Sequence, residues 1–275
     1  MQHSVGFIGG GNMAASLIGG LLADGLPLSQ IRVAEPVADR QQFLATRFGL
    51  RAEADGVVLA GEVDIIVLAV KPQVMQAVAR ELADTVSAGK PVVISIAAGI
   101  RTTDLSRWLG GYSAIVRAMP NTPALIQAGA TGLYATRAIT PAQRAAAESV
   151  LRAAGLTCWV EDEQLIDSIT ALSGSGPAYF FLLMEAMQEA GRKLGLDGET
   201  ARLLTLQTAF GAAKMALESA EPPGTLRARV TSPGGTTEQA LKTFIEGKLP
   251  ELVERALKAA AERAGELARD LGKDR

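Results

Sequence analysis

The sequence has few of the side chains that carry metal and nucleophilic chemistry. Its 275 residues include one histidine, His3, and one cysteine, Cys158. Because the one imidazole stands at the extreme N-terminus, neither a histidine metal cluster nor a Ser-His-Asp arrangement is expected, and one thiol excludes an intrachain disulfide. We therefore predict no metal site, and we expect Cys158 to be a small core residue within a strand.

Excess charge and long apolar runs are also absent. The 27 basic and 29 acidic residues leave a formal net charge of −2, which predicts neither a nucleic-acid partner nor an anionic membrane partner. No run reaches the roughly 18 apolar residues that cross a membrane. The first residues lack the basic and apolar regions of an export signal. We expect a cytoplasmic protein.

The strongest pattern present is the glycine-rich segment Gly9-x-Gly11-x-x-Ala14. Residues 5–8 before it predict a buried strand, and residues 14–22 after it predict a helix. Between a strand and a helix, such small residues are typical of a dinucleotide-binding turn. Gly9 permits the turn, Gly11 lets the backbone approach a pyrophosphate, and Ala14 allows close packing. A purely structural turn is the alternative.

Apolar runs further along the chain predict the other strands of an α/β sheet: 31–34, 63–70, 91–96, 113–119, 130–136 and 156–160. Lys71 and Asn121 follow two of these strands, at the carboxyl edge where open α/β sheets bind ligands. Lys71 is a candidate contact for the cofactor or for an anionic substrate. The alternative is that Lys71 is a solvated lysine at the sheet edge. Asn121 presents a donor and an acceptor suited to a nicotinamide carboxamide, or forms an Asx turn.

Glu35 and Arg40 give opposite indications about the cofactor. Glu35 follows the second strand, where an acid usually holds the ribose 2′-hydroxyl of NADH and repels a 2′-phosphate. Arg40 would instead bind the 2′-phosphate of NADPH. Two solvated surface charges are the third interpretation.

The pattern changes near Asp162, after which every periodic segment predicts a helix. We therefore predict an α/β protein with a Rossmann-type doubly wound sheet in residues 1–161 and an all-helical domain in residues 162–275. The last helix carries an apolar seam from Val253 to Leu271, suited to packing against another helix in the domain or in a second subunit.

Two glycine-rich segments interrupt the helical half, residues 173–179 and residues 232–239. Each is either a helix cap or a loop that binds a carboxylate with main-chain N–H groups and hydroxyls. In the second segment, Thr236 and Gln239 have the spacing of a capping box.

Together these motifs resemble the pyrroline-5-carboxylate reductases along nearly the whole chain. The matching segments are residues 7–13, 70–72, 95–99, 117–123, 173–179 and 232–237. The resemblance implies reduction of the cyclic imine 1-pyrroline-5-carboxylate to L-proline by NADPH or NADH, the last step of proline biosynthesis. Glu35 leaves the cofactor preference open, because many relatives carry a small neutral residue there.

The resemblance also implies the roles of individual residues and the assembly. Thr237 is expected to orient the imine nitrogen or relay a proton to it. The helical domain is expected to form a homodimer, and the family also allows a larger ring. The expected substrate-binding residues are Ser173, Gly174, Ser175, Ser232, Gly234, Gly235 and Thr236. The expected cofactor-binding residues are Gly9, Gly11, Asn12, Met13, Glu35, Ala69, Val70, Lys71, Ala97 and Asn121.

Two other functions compete with this interpretation. A β-hydroxyacid dehydrogenase has a similar nucleotide domain but needs a lysine base early in the second domain. Here residues 175–181 have no lysine, and the next one is Lys193. A dinucleotide sensor without catalysis would explain residues 9–14 but would leave both later glycine-rich segments without a role.

Overall fold

The computed structural model describes residues 3–274, and a seven-stranded sheet forms its centre. The strands are β1 Val5–Ile8, β2 Ile31–Ala34, β3 Ile65–Leu68, β4 Val92–Ser95, β5 Ile115–Met119, β6 Gly129–Ala135 and β7 Gly155–Val160. Their spatial order is β2-β1-β3-β4-β5-β6-β7. Neighbouring strands are parallel except β5 and β6, which are antiparallel.

Helices connect most of these strands and make up the rest of the chain. They are α1 Asn12–Ala23, α2 Ala38–Phe48, α3 Gly56–Ala60, α4 Pro72–Gly89, α5 Thr102–Trp108, α6 Pro141–Arg152, α7 Leu165–Ile169, α8 Gly176–Lys193, α9 Gly198–Glu218, α10 Pro223–Arg229, α11 Thr236–Glu246 and α12 Leu249–Leu271. A π-helical turn, Thr170–Gly174, joins α7 to the residues before α8. Within the described range, no strand follows β7.

Alternating strand residues pack into two separate cores, one on each face of the sheet. Phe7 and Val67 pack with the residues of α1, α2 and α6, whereas Ile66 and Leu68 pack with α3, α4 and α5. Side chains alternate between the two faces of a strand, so continuous apolar runs are needed where both faces are covered. This arrangement confirms the predicted doubly wound sheet.

The strand order places a ligand-binding position at the ends of β1 and β3. The chain passes from β1 outward to β2 and then returns to β3 on the other side of β1. In open α/β sheets, ligands bind at the carboxyl edge where the order reverses in this way. The segments after these two strands, residues 9–13 and 69–71, are the cofactor residues expected from the sequence.

The chain divides into two compact units, residues 1–175 with 259–275, and residues 176–258. The second unit begins at residue 176, whereas the sequence predicts that the helical domain begins at residue 162. Residues 163–174 belong to the first unit because they form hydrogen bonds with the start of α5 and with the loop after β5. The end of α12 belongs there too, since Leu267 and Leu271 lie against Gly99. Part of the predicted apolar seam therefore packs on the first unit.

The prediction that Cys158 is a core residue is wrong, because its side chain is exposed. β7 is an edge strand, and α6 covers one face of it, where Glu148 accepts hydrogen bonds from Thr157 and Trp159. Cys158 alternates with these two residues and so points to the opposite face.

Two adjacent glycines in α1 give a test of the packing. A Cβ at Gly20 would overlap the carbonyl of Ala153, whereas one at Gly19 would lie 3.4 Å from the Phe48 ring. We predict that Gly20→Ala lowers the free energy of unfolding by about 2 kcal/mol or more, because backbone must move. Gly19→Ala should be neutral or stabilising by up to about 1 kcal/mol, because alanine favours helix.

Denaturant unfolding of the two variants checks this pair. Equal stability of Gly20→Ala and Gly19→Ala would contradict the close packing of α1 against Ala153.

Candidate functional site

The glycine-rich turn between β1 and α1 is tightly packed at Gly9 and open at Gly11. Gly9 has a φ of +98° and lies so close to β3 that a Cβ would be 2.8 Å from the Ala69 oxygen. Gly11 is the N-cap of α1 and supplies no side-chain cap. A Cβ on Gly11 would meet nothing within 4 Å, so packing within the protein does not require glycine there. A ligand lying close against the backbone does explain it.

A groove of about 800 Å³ begins at this turn and runs along the edge of the sheet. The ends of β1, β2 and β3 form its floor, and α4 forms one side. The cofactor residues expected from the sequence that line it are Gly9, Gly11, Asn12, Glu35, Ala69, Val70 and Lys71. The size and the lining suit a dinucleotide better than a small metabolite.

Glu35 and Arg40 hold the glycine-rich turn from its two sides. Glu35 is only 7% exposed; its Oε2 accepts from the N–H of Gly10 at 2.7 Å, and its Oε1 accepts from that of Val37 at 2.9 Å. Arg40 donates to the Gly10 oxygen at 2.8 Å and stacks on Phe43. Both residues line the groove. They are therefore not two solvated surface charges. Both support the glycine-rich turn and also line the groove.

Ala97 and Lys71 lie after neighbouring strands in different surroundings. Ala97 follows β4, its side chain is buried in the core, and it is not among the residues that line the groove. Lys71 precedes α4 as its N-cap and is exposed beside the groove.

The carboxyl end of β5 carries Asn121, whose side chain is bonded at both ends. Its Oδ1 accepts from the N–H of Ala130 at 2.9 Å, and its Nδ2 donates to the oxygen of Ser173 at 3.0 Å. The side chain therefore connects the loop after β5 to the first glycine-rich segment of the helical half.

A buried cluster of charges, which the sequence did not predict, holds residues 163–167 in place just before the first glycine-rich segment. Arg117, on β5, is 2% exposed and pairs with Glu163 at 3.1 Å and Asp167 at 3.5 Å. Glu163 also accepts from the N–H and hydroxyl of Thr102, while Arg101 pairs with Asp167 at 2.6 Å. An arginine inside the apolar run 113–119 was the one signal that could have indicated such a cluster.

The segment Ser173–Ser175 forms the end of the π-helical turn. The N–H of Ser175 donates to the Thr170 oxygen at 2.8 Å, and the Ser173 hydroxyl donates to the Ile169 oxygen at 3.1 Å. A Cβ at Gly174 would lie 2.7 Å from the Met119 side chain. π turns of this kind are frequent at functional sites.

The second glycine-rich segment lies within the second unit and leads into α11. Gly235, not Thr236, is the N-cap of α11, so the predicted capping box of Thr236 and Gln239 is wrong. The Glu238 carboxylate fills the equivalent role by accepting from the N–H of Gly234 at 2.8 Å. Gly234 has a φ of +69°, which favours glycine.

Thr237 is the second residue of α11 and is half-buried. The structure thus places Ser232, Gly234, Gly235, Thr236 and Thr237 together at one helix start, and Ser173–Ser175 in the other unit.

Comparison with known proteins identifies the family. Residues 163–267 match a family model described as pyrroline-5-carboxylate reductase dimerisation, and residues 4–99 match one described as NADP oxidoreductase coenzyme F420-dependent. A pyrroline-5-carboxylate reductase from Pseudomonas aeruginosa is 52% identical over 268 residues, which is 98% of each chain. The chain belongs to the pyrroline-5-carboxylate reductase family.

Solved structures agree with this assignment. A pyrroline-5-carboxylate reductase from Coxiella burnetii is 49% identical with a TM-score of 0.94, and the match covers 98% of this chain and 99% of that one. A pyrroline carboxylate reductase from Plasmodium falciparum with NADP bound is 28% identical with a TM-score of 0.84, covering 97% and 98%. Membership of the pyrroline-5-carboxylate reductase family confirms the resemblance seen in the sequence and excludes a β-hydroxyacid dehydrogenase.

Two kinds of feature are absent from the described residues. Among residues 3–274, no three His, Cys, Asp or Glu side chains are grouped in a way that could hold a metal ion. None of the helices in that range combines the length and the apolar character needed to cross a membrane.

Proposed function

We propose that the protein reduces 1-pyrroline-5-carboxylate to L-proline, using NADPH or NADH, as the last step of proline biosynthesis in the cytoplasm. The observation that carries the proposal is the match to pyrroline-5-carboxylate reductases over 98% of the chain. Two features of the structure support it: a groove suited to a dinucleotide and a glycine-rich helix start suited to a carboxylate.

The nicotinamide cofactor fits the groove of the first unit. Gly9, Gly11, Asn12 and Met13 would hold the pyrophosphate, where the free N–H groups at the start of α1 favour negative charge. Residues 69–71 and Ala97 would lie along the ribose and nicotinamide. When bound, the reduced cofactor supplies the hydride.

The substrate carboxylate fits the glycine-rich segments of the helical half. Ser232, Gly234, Gly235 and Thr236 would bind it through hydroxyls and main-chain N–H groups at the start of α11, with Ser173–Ser175 contributing further contacts. Such a site uses no basic side chain, so the substrate is held by directed hydrogen bonds.

Thr237 is the proposed partner of the imine nitrogen. Reduction adds a hydride to the imine carbon and a proton to the nitrogen, and the protonated nitrogen is the better hydride acceptor. A threonine hydroxyl is too weak an acid to protonate the imine alone, but it accepts from an iminium N–H and passes a proton from water. Orientation of the two reactants supplies much of the remaining acceleration.

A second copy of the chain is the proposed partner of the second unit. The matched dimerisation model indicates a homo-oligomer. We propose a homodimer through the C-terminal helices, which a larger ring would extend. Several large apolar side chains of α8 and α9 are more than half exposed in the single chain, as a subunit contact requires: Phe180, Phe181, Leu204, Phe210 and Met215.

A coupled assay tests the proposed function. Purified protein is mixed with NADPH or NADH and 1-pyrroline-5-carboxylate, and both cofactor oxidation and L-proline are measured. Stoichiometric formation of proline supports the proposal. Cofactor binding without proline formation would favour a dinucleotide sensor.

The role of Thr237 gives a first prediction. Thr237→Ala should lower kcat by about tenfold to a hundredfold, because the imine nitrogen loses its hydrogen-bond partner. The Kd for the cofactor should not change, because Thr237 is proposed to contact the imine nitrogen and none of the residues that line the cofactor groove is altered. Steady-state kinetics and cofactor titration check this. An unchanged kcat and kcat/KM would remove Thr237 from the mechanism.

The position of Glu35 gives a second prediction. Glu35→Ser should raise the ratio of kcat/KM for NADPH to that for NADH by about tenfold, because a carboxylate no longer opposes a 2′-phosphate near Arg40. Both absolute values should fall, because Gly10 and Val37 lose their acceptor. The control is Glu81→Ser, an acid elsewhere in the same groove. A ratio that changes equally in both variants would contradict a specific role for Glu35.

The hydrogen bond of Glu238 gives a third prediction. Its carboxylate occupies the Gly234 N–H and places a negative charge in a loop that we propose binds a carboxylate. Glu238→Ala should therefore lower the KM for 1-pyrroline-5-carboxylate by about threefold to tenfold. Glu246→Ala removes the same charge from the far end of α11 and should leave this KM unchanged. A raised KM in Glu238→Ala would show that the side chain supports the loop instead of competing for it.

A further inference from the structure

Asn121 joins three segments of the first unit through one amide group. The residue is 8% exposed and follows β5. Its Oδ1 accepts from the N–H of Ala130, where β6 begins, and its Nδ2 donates to the Ser173 oxygen in the π-helical turn. A side chain that must accept on one side and donate on the other is well served by an amide.

The Ser173 carbonyl needs this donor because of the sequence that follows it. In a regular helix, the oxygen of residue 173 would accept from the N–H of residue 177. That residue is Pro177, which has no N–H to donate. Ser173 is half-buried, and a partly buried carbonyl that lacks its helical partner is stabilised by an external donor. Asn121 Nδ2 supplies it at 3.0 Å.

The rest of the segment is already fixed at its other end. Glu163 accepts from both the N–H and the hydroxyl of Thr102, and Asp167 pairs with Arg101. These bonds hold the beginning of residues 163–174 at the start of α5. Asn121 holds the end of the same segment near the end of β5, directly before Gly174 and Ser175.

We propose that Asn121 is a positioning residue, which sets the place of Ser173–Ser175 relative to the carboxyl edge of the sheet. The inference rests on the proposed function, in which those residues help to hold the substrate. It gives the Asn121 amide a different task from the carboxamide contact expected from the sequence. Losing Asn121 should therefore affect the substrate more than the cofactor.

Steady-state kinetics with 1-pyrroline-5-carboxylate separate these roles. In Asn121→Ala, the KM for the substrate should rise about tenfold, while the KM for NADPH or NADH changes less than about twofold. The matched control is Thr140→Ala, which removes the capping box of α6 in the same unit. It should lower the melting temperature without changing either KM, so that lost stability alone cannot explain the effect.

Asn121→Asp tests the donor alone. The aspartate keeps an acceptor for the Ala130 N–H, but when ionised it places a second oxygen against the Ser173 carbonyl. When protonated, its O–H donates to that carbonyl as the amide did. Both partners are main-chain groups and do not titrate. Residue 121 is only 8% exposed, and such burial raises the pKa of an introduced carboxyl above the ordinary value for aspartate. The substrate kcat/KM of Asn121→Asp, divided by that of the unmodified protein, should therefore rise as the pH falls from about 8 to about 5.5. The same ratio for Asn121→Ala should stay constant.

Three results would overturn the inference. One is a rise in the cofactor KM without a rise in the substrate KM, which would return Asn121 to the nicotinamide. The second is an unchanged substrate KM in Asn121→Ala. The third is the same pH dependence in Asn121→Asp and Asn121→Ala. If the unmodified protein forms no proline, the proposed function fails; if it forms proline and the variants behave normally, only this inference fails.

Discussion

Unpaired main-chain groups at the ends of helices are the constraint on which this structure depends. Helix starts leave N–H groups free, and a proline removes the donor that a preceding carbonyl would use. Near each proposed binding segment, one side chain satisfies such a group. The pairs are Glu35 with the N–H of Gly10, Asn121 with the oxygen of Ser173, and Glu238 with the N–H of Gly234. The free donors at the start of α1 are proposed to bind the pyrophosphate of the cofactor, whereas the Glu238 carboxylate competes with the substrate carboxylate for the Gly234 N–H.

The buried charges fix the position of residues 163–167 more than they stabilise the fold. Removing two arginines and two carboxylates from water is costly, and such clusters often contribute little net stability. Here Arg117 and its partners connect β5 and the start of α5 to residues 163–167. An apolar cluster would pack equally well, but it would not define which atoms meet. The first unit therefore carries both the cofactor groove and the segment Ser173–Ser175 on one framework.

Periodicity and turn chemistry predicted the sheet, its two covered faces and the long helices, because these depend on local patterns. The short helix α3 was not predicted, since five residues give no clear period. The buried Arg117 cluster, the exposure of Cys158 and the partners of Asn121 depend on which segments meet in space. The N-cap of α11 is Gly235 and not the predicted Thr236. There the Glu238 carboxylate accepts from the N–H of Gly234.

The central claim is that a hydride passes from the bound nicotinamide to the imine carbon of 1-pyrroline-5-carboxylate. Turnover with reduced cofactor carrying deuterium at the transferable position of the nicotinamide, followed by mass spectrometry of the proline, tests it most directly. We expect one deuterium on the ring carbon next to nitrogen that was the imine carbon. Proline without deuterium, or no proline at all, would contradict the account.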